Sequence, residues 1–507
     1  MSDPLSQFQE LIGSLSSSQS QESELLLMQL DEAGAHRLRL CAIPHTFDDK
    51  VLRTLDPDLN AEDAEQTIQE FQKLPAVMAL GDCFMLHDVV RQQLFAQWLT
   101  PERRETFSAA SARLADFFRP QANDNAVVAA TKQLSRLFHL LGADLGQGFR
   151  EFQSVYQARR EQGRFSECEA LVRLLREYAS MLGPRERNWL AYYQAEIADD
   201  NRDWPRAVER LEALLAQDLP DELRSLALLR SGSVLRRLGR FAQAQARCLE
   251  ALQLAGRLGG GAAPHLIHHE LGLIARDSND FEGAREQLER AIDLAKAAGD
   301  RLDVVIAYNS LGTLLRKPAP RDAARLFHEC LALLDPKRDS LRIAQVLNNL
   351  GMANADIGEW RASEASYKQS LEIKRASSDL YGQALTLLNV SRVYRAESRW
   401  NEARTALMDS AKLFEDVHDA THSGEAHREL ARLMKTSGTP AEMEFHASKA
   451  IECFQHAGND SEVQAIKREF STGAVRKSKW RRRLTWTVIA AIGLVVVLIL
   501  IALIVDD

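Results

Sequence analysis

The stretch LNNLGMANADIGEWRASEASYKQSL at residues 347–371 decides the fold, because its spacing recurs along the chain. Gly351 is followed nine residues later by Trp360, and Ser363 comes three residues after that. Similar stretches occupy residues 228–252, 268–292, 308–333 and 387–411. Their leading small residues are separated by steps of 40, 40, 39 and 40: Gly232, Gly272, Gly312, Gly351 and Ser391.

A period of this length predicts pairs of antiparallel helices, because one pair cannot bury its apolar face alone and must stack on its neighbours. The small residue is expected where the two helices cross. The aromatic nine residues later (Phe241, Phe281, Trp360 and Trp400) is expected to fill the space between them. In the stretch 308–333 the sequence KPAPRD replaces the aromatic turn, so the shape of that turn is left open.

The pattern resembles the tetratricopeptide repeat (TPR), in the form of about 40 residues found in kinesin light chains. Weaker copies extend the array to about eight units over residues 149–460. The resemblance implies a superhelical solenoid whose first helices line a groove that binds a protein or peptide. Matched onto this sequence, the groove residues are Arg230, Arg236, Arg237, Arg276, Asn309, Arg316, Lys317, Asn349, Asn389, Arg392 and Arg395.

These groove residues suggest the chemistry of the ligand. Arginine grips carboxylates through two hydrogen bonds, which favours an acidic partner. An asparagine ladder suits the backbone of an extended peptide. The alternative is that these residues are ordinary solvated positions on helices.

The N-terminal region does not follow the repeat pattern. Helical stretches around 37–55 precede two short apolar runs, VMAL and CFML, joined by Gly81 and Asp82, which predicts a hairpin. Amphipathic stretches at 87–99 and 103–118 follow. The run Leu86-His87-Asp88 resembles the winged-helix module of STAND-type signalling ATPases, in which the matching histidine contacts the β-phosphate of ADP.

No phosphate-binding loop accompanies His87, since the sequence contains no G-x-x-x-x-G-K-[ST]. We therefore expect His87 to be structural and Asp88 to cap the following helix, with docking on a nucleotide-binding domain in another protein as the alternative. DNA binding is not expected. Residues 22–120 carry ten basic and seventeen acidic side chains, and DNA binding requires a basic surface.

The C-terminal segment predicts a membrane anchor. Leu484 to Val505 are 22 residues without a charge, long enough as a helix to cross a hydrocarbon core of about 30 Å. The residues before it are basic, which predicts that they stay in the cytoplasm, here of a bacterial inner membrane. They set the topology and contact anionic lipids: Arg476, Lys477, Lys479, Arg481, Arg482 and Arg483.

Catalytic and metal motifs are absent from the sequence. The six cysteines are isolated and form no C-x-x-C. His265 and His269, like His418 and His422, lie four residues apart and could share a helix face, but they fall at polar repeat positions. We expect no enzyme activity, no cofactor and no metal site.

The sequence thus predicts an all-α chain. A disordered tail (1–21) precedes a winged-helix domain (22–120), a linker helix (121–148), the solenoid (149–460), a capping helix with a basic segment (461–483) and a transmembrane helix (484–505). The predicted function is a membrane-anchored cytoplasmic scaffold. The alternative is a membrane effector or regulator in a stress or phage-defence pathway, triggered by a partner ATPase or protease.

Overall fold

The structure is a computed structural model that describes residues 21–258 and 263–470. It divides into two compact units, unit 1 up to Ala262 and unit 2 from Ala263. Across the described residues the chain is helical apart from one two-stranded sheet. The predicted tail up to residue 20, the basic segment from Arg476 to Arg483 and the apolar segment 484–505 lie outside these residues.

The N-terminal part of unit 1 consists of six helices and a hairpin. These elements are α1 (Gln21–Leu27), α2 (Glu32–Cys41), α3 (Asp49–Leu55), α4 (Ala61–Phe71), β1 (Val77–Leu80), β2 (Cys83–Leu86), α5 (Asp88–Trp98) and α6 (Arg104–Phe117). The hairpin is antiparallel, with Val77 opposite Leu86, and Gly81 adopts the positive φ of 59° that its turn needs. Phe47 and Phe84 exchange two backbone hydrogen bonds of 2.8 Å, which attach the hairpin to the segment before α3.

The rest of unit 1 is built of helices alone. They are α7 (Ala126–Ala143), α8 (Leu145–Glu161), α9 (Phe165–Glu177), α10 (Pro184–Asp200), α11 (Trp204–Leu215), α12 (Asp221–Arg237) and α13 (Phe241–Leu258). From α8 onward they form three antiparallel pairs, α8 with α9, α10 with α11 and α12 with α13.

Unit 2 continues the same pattern in five pairs and ends on a single helix. Its helices are α14 (Pro264–Asp277), α15 (Phe281–Ala298), α16 (Arg301–Leu315), α17 (Pro320–Leu333), α18 (Ser340–Ile357), α19 (Trp360–Ala376), α20 (Leu380–Ala396), α21 (Trp400–Asp416), α22 (Ala420–Ser437), α23 (Pro440–His456) and α24 (Asp460–Glu469). None of the helices described in either unit combines the length and the apolar character needed to cross a bilayer.

The small residue of each repeat lies where the paired helices cross. A Cβ added to Gly312 would be 2.8 Å from the Phe327 ring, and one added to Gly351 would be 2.8 Å from the Tyr367 ring. Leu288 fills the same space opposite Gly272. The crossing point is therefore filled by a residue 15 or 16 positions after the glycine, which lies well inside the second helix.

The aromatic nine residues after the glycine does not fill the crossing point itself, although Trp360 and Trp400 are half-buried against the core of their repeats. That aromatic is the first residue of the second helix, as Phe281 is in α15, and Phe281 is 47% exposed. A residue at the start of a helix projects beside the turn, whereas the crossing point lies about two turns further along.

Most turns inside the repeats end the first helix with a left-handed residue. Gly239, Asn279, Gly358 and Ser398 all have positive φ, the conformation that stops a helix. The KPAPRD turn between α16 and α17 contains no such residue within the described chain. Pro320 instead begins α17 at a position where its missing N–H costs nothing, so the helix pair is preserved.

Candidate functional site

In unit 1 the first helices of neighbouring repeats share a buried network of charges. Glu196 and Asp199 of α10 have side chains that are 5% and 2% exposed. Arg230 of α12 hydrogen-bonds to Glu196 and donates to Asp199 at 3.3 Å, and Arg237 also hydrogen-bonds to Asp199. Burial opposes the charge of Arg230, but Glu196 and Asp199 hold the pKa of its guanidinium well above the ordinary value.

The same network extends to the preceding helix, α8. Arg160 donates to Asp200 at 2.6 Å and 3.2 Å, a two-pronged pair. The hydroxyls of Tyr156 and Tyr192 each donate to Glu196 at 3.2 Å. Arg230 and Arg237, two residues assigned to the groove, are therefore already neutralised by carboxylates of the neighbouring repeat.

Several of the assigned groove residues in unit 2 are also paired. Arg316 and Lys317, at the end of α16, donate to the two oxygens of Asp356 at 2.9 Å and 2.7 Å. Arg276 donates to Asp277, the next residue in its own helix, at 2.9 Å. The charges of Arg276, Arg316 and Lys317 are therefore balanced within the chain. Arg236, an assigned groove residue of unit 1, lies on α12 and is half-buried.

The assigned asparagines form a ladder between repeats. The Asn349 amide donates to Asn309 at 2.9 Å, and the Asn389 amide donates to Asn348 at 3.2 Å. Each of these bonds uses one N–H and one carbonyl oxygen, whereas an amide side chain offers two donors and two acceptor lone pairs. The half-buried ladder therefore keeps hydrogen-bonding capacity on the surface formed by α16, α18, α20 and α22, which we call the first-helix face of unit 2.

Arg392 of α20 differs from the other assigned arginines. It is exposed and has no hydrogen bond or ion pair to any residue of the described chain. It lines a cavity of about 640 Å³ together with Arg395, Trp400, Glu429 and Arg432. Glu429 is shared, because both Arg395 and Arg432 donate to it. Arg432 also donates to Glu469 at 2.5 Å and 3.0 Å, so the positive charge left without a carboxylate partner in this cavity is that of Arg392.

The histidine pairs singled out in the sequence do not converge. His265 Nε2 lies 2.7 Å from Asp303 Oδ2, whereas His269 Nε2 lies 2.9 Å from Ser310 Oγ. His422 hydrogen-bonds to Asp419 at the start of α22, and His418 lies in the turn before it with a φ of 57°. The side chains of His265, His269 and His422 therefore have structural partners.

One set of donor atoms in unit 2 has the composition of a metal site. His265, Asp300 and Asp303 offer ligand atoms within 4.8 Å of one another. Each is already engaged, since His265 pairs with Asp303 and the Asp300 carboxylate accepts two backbone N–H bonds at the start of α16. Burial raises the pKa of Asp303, although its hydrogen bond with His265 acts in the opposite direction.

His87 is exposed at the position before α5, and its side chain makes no cap hydrogen bond. The expectation that Asp88 caps this helix is wrong, because Asp88 is already the first helical residue. Arg91, one turn later, is buried and donates to the Pro44 carbonyl at 3.1 Å and to Glu177 of α9 at 2.8 Å.

His45 Nε2 also lies 2.8 Å from Glu177, so this one carboxylate connects the N-terminal helices to the first repeat pair. Burial opposes ionisation of Glu177, but the bonds from His45 and Arg91 leave its pKa below the ordinary value. No motif in the sequence indicated this contact, because Arg91 and Glu177 are 86 residues apart.

The repeats are supported by comparison with protein families. Models described as tetratricopeptide repeat match residues 223–297 and 343–378. The chain therefore carries tetratricopeptide repeats in both units. No curated protein matches the chain.

Solved structures are similar to this chain at low sequence identity. A STAND protein with a tetratricopeptide repeat sensor, PH0952 from Pyrococcus horikoshii, is 11% identical, with a TM-score of 0.52 over 89% of this chain and 67% of its own. The quorum sensor NprR from B. thuringiensis is 13% identical, with a TM-score of 0.44 over 64% of this chain and 99% of its own. At these identities the first match shows the fold alone.

Proposed function

We propose that this chain, which carries tetratricopeptide repeats, is a scaffold whose first-helix face in unit 2 binds an extended peptide segment of a partner protein. The observation that carries the proposal is the asparagine ladder, made of the amide bonds of Asn349 to Asn309 and of Asn389 to Asn348, which leads to Arg392. The amides of the ladder match the alternating N–H and C=O groups of an extended peptide. An extended peptide cannot satisfy these groups by itself, so it gains hydrogen bonds on this surface.

We expect an acidic group of the partner to bind at one end of this face only. Arg316, Lys317 and Arg395 are matched by carboxylates of neighbouring repeats, so they offer a ligand little net charge. Arg392 is unpaired in the described chain, and it lies beside the shared carboxylate Glu429. A carboxylate on the bound segment would therefore gain most near Arg392.

The test is selection of a displayed library of random 12-residue peptides on the full-length chain. We expect a consensus to emerge, and the same peptides to bind at least tenfold more weakly when Asn349→Ala, Asn389→Ala and Arg392→Ala are combined. The matched control combines Asn401→Ala, Gln369→Ala and Arg361→Ala, which removes the same functional groups from exposed positions on α19 and α21. Equal loss in both variants, or no enriched peptide, would exclude this face as the binding site.

The scaffold is proposed to act at a membrane through its apolar C-terminal segment, with the basic residues Arg476 to Arg483 on the cytoplasmic side. The support is the sequence of residues 476–505 alone. Fractionation of cells that express the full-length chain or a form lacking residues 484–507 tests it. We expect only the full-length chain in the membrane fraction, protected from protease added to intact cells.

A second candidate function, a triggered membrane effector, draws on the N-terminal helices and hairpin, which we interpret as a winged-helix module. A partner nucleotide-binding domain that docks beside His87 would act on a module attached to the repeats through Arg91 and Glu177. Such an effector changes its oligomer size or permeabilises liposomes when the partner is added, whereas a scaffold does neither. Light scattering and dye release from liposomes distinguish the two.

A further inference from the structure

Four arginines in unit 1 line one cavity whose lining includes none of the residues of the buried charge network. Arg173 and Arg176 of α9 and Arg206 and Arg210 of α11 line a cavity of about 240 Å³ above α10. Three of these side chains belong to exposed residues and Arg210 is half-buried, so the cavity is open to a ligand. None of them belongs to the first-helix face or to the N-terminal contact.

The carboxylates that line this cavity do not balance it. Glu169 lies 3.4 Å from Arg173 on the same helix, a weak pairing of exposed residues. The Asp203 carboxylate accepts a hydrogen bond of 3.3 Å from the backbone N–H of Arg206, where it caps α11. The lining thus holds four guanidinium groups against two carboxylates.

Two of the arginines have no protein partner. The side chains of Arg176 and Arg206 make no hydrogen bond or ion pair within residues 21–258 and 263–470, and Arg210 donates to the neutral amide of Gln194 at 2.5 Å. Burial and the nearby charges of Arg206 and Arg176 lower the pKa of Arg210. The guanidinium groups are therefore close enough to repel one another. This repulsion is not fully offset by carboxylates of the described chain.

We propose that this cavity is a binding site for a phosphate group, held by Arg176, Arg206 and Arg210. A doubly charged phosphate relieves the repulsion, and its oxygens accept paired hydrogen bonds from the planar guanidinium. Because arginines of α9 and α11 line the same cavity, they can bind one anion together. The phosphate is either free or part of a small phosphomonoester, and both sources share this chemistry.

The test uses the full-length chain with two probes, inorganic phosphate and O-phosphoserine, at constant ionic strength set with sodium chloride. We expect saturable binding by isothermal titration calorimetry and a matching rise in melting temperature. Combining Arg176→Gln with Arg206→Gln should weaken binding at least tenfold while leaving the fold intact, because neither side chain has a structural partner. Tighter binding of O-phosphoserine than of inorganic phosphate assigns the site to phosphomonoesters, and the reverse order assigns it to the free ion.

The matched control combines Arg185→Gln with Arg187→Gln, two exposed arginines of α10 that do not line the cavity. The control should bind both probes as the unmodified chain does. The proposal is overturned if neither probe binds, or if the control loses affinity as much as the cavity variant, since the effect would then be one of net charge. These outcomes are independent of peptide binding to unit 2.

Discussion

In unit 1, arginines of the first helices meet carboxylates of neighbouring repeats deep inside the structure, and Glu196 and Asp199 are almost fully buried. In unit 2 the corresponding surface offers half-buried amides and ends at Arg392, which has no counter-charge within the described part of the chain. The same repeat pattern therefore carries two arrangements of polar groups. In unit 1 the arginines and carboxylates bind one another, whereas in unit 2 the amides keep donors and acceptors that are not used within the ladder.

The difference extends to buried titratable groups. The arginine network of unit 1 is buried together with its counter-charges. In unit 2, Lys374 is buried and donates only to the hydroxyl of Thr386 at 2.8 Å, and His427 and His446 face each other with 3.2 Å between their Nδ1 atoms. Removing a charge from the network of unit 1 should therefore lower the free energy of unfolding, whereas removing the charge of Lys374 should raise it.

The largest effect is expected from Glu196→Ala in unit 1. It leaves the half-buried Arg230 without one of its two carboxylates and the hydroxyls of Tyr156 and Tyr192 without an acceptor. We expect the free energy of unfolding to fall by about 3–5 kcal/mol, measured by urea denaturation. The control Glu209→Ala, at an exposed site on α11, should change it by less than about 0.5 kcal/mol. A small effect at Glu196 would show that the network is not a stabilising unit.

Acid should weaken unit 2 through its histidine pair. Burial and the neighbouring His427 lower the pKa of His446 to about 4, and burial lowers the pKa of His427. The charged groups around them are Glu415, Arg404, Glu442 and Lys449.

The unfolded chain binds protons at these histidines below about pH 6.5, before the folded chain does. Stability is therefore full above that pH and falls as the pH drops toward 4, by about 3 kcal/mol at pH 4 for the shift of His446. The His446→Leu variant should flatten this dependence, and His328→Leu, at an exposed site, should not. Urea denaturation at a series of pH values measures both, and parallel curves would remove the pair as the cause.

Replacing Lys374 should stabilise the protein. Burial lowers the pKa of its ammonium group to about 8, so at pH 7 the folded chain carries a buried charge with no ion pair in the described structure. Stability is full above the unfolded pKa of about 10.4 and is reduced as the pH falls toward 8. We expect Lys374→Met to raise the free energy of unfolding by about 1–2 kcal/mol at pH 7.

Thr386 tolerates the Lys374→Met change, because its hydroxyl still donates to the Gly382 carbonyl at 2.9 Å. The exposed Lys412→Met serves as the control. A decrease in stability at position 374 would show that the lysine provides packing that outweighs its charge.

The smallest effect is expected for Asp356→Asn, which removes the counter-charge of Arg316 and Lys317. The Lys317 side chain is 72% exposed, and ion pairs accessible to water contribute about 0.2–1 kcal/mol. Urea denaturation should show a loss within that range. The same variant leaves Arg316 and Lys317 without a partner, so it should also strengthen binding of acidic peptides selected on the full-length chain. A loss of unfolding free energy as large as that of Glu196→Ala would show that the charge pairs of the two units contribute equally to stability.

The period of the small residues was sufficient to predict helix pairs, because a glycine in a helix is informative only where another helix crosses it closely. Which side chain fills the crossing was not readable from spacing. The prominent aromatics lie at the turns, and the filling residues (Cys248, Leu288, Phe327 and Tyr367) share no residue type. Burial depends on position along the second helix, which the structure supplies.

The sequence by itself also determined which residue types the first helices present, namely arginines and asparagines at repeat spacing. Only the tertiary structure decided which of them remain available. The partners of Arg230, Arg237, Arg316 and Arg395 come from helices 31 to 40 residues away, and a charge is neutralised by whatever lies close in space. For the same reason the contact of Arg91 with Glu177 and the four-arginine cavity emerge only when the helices are packed.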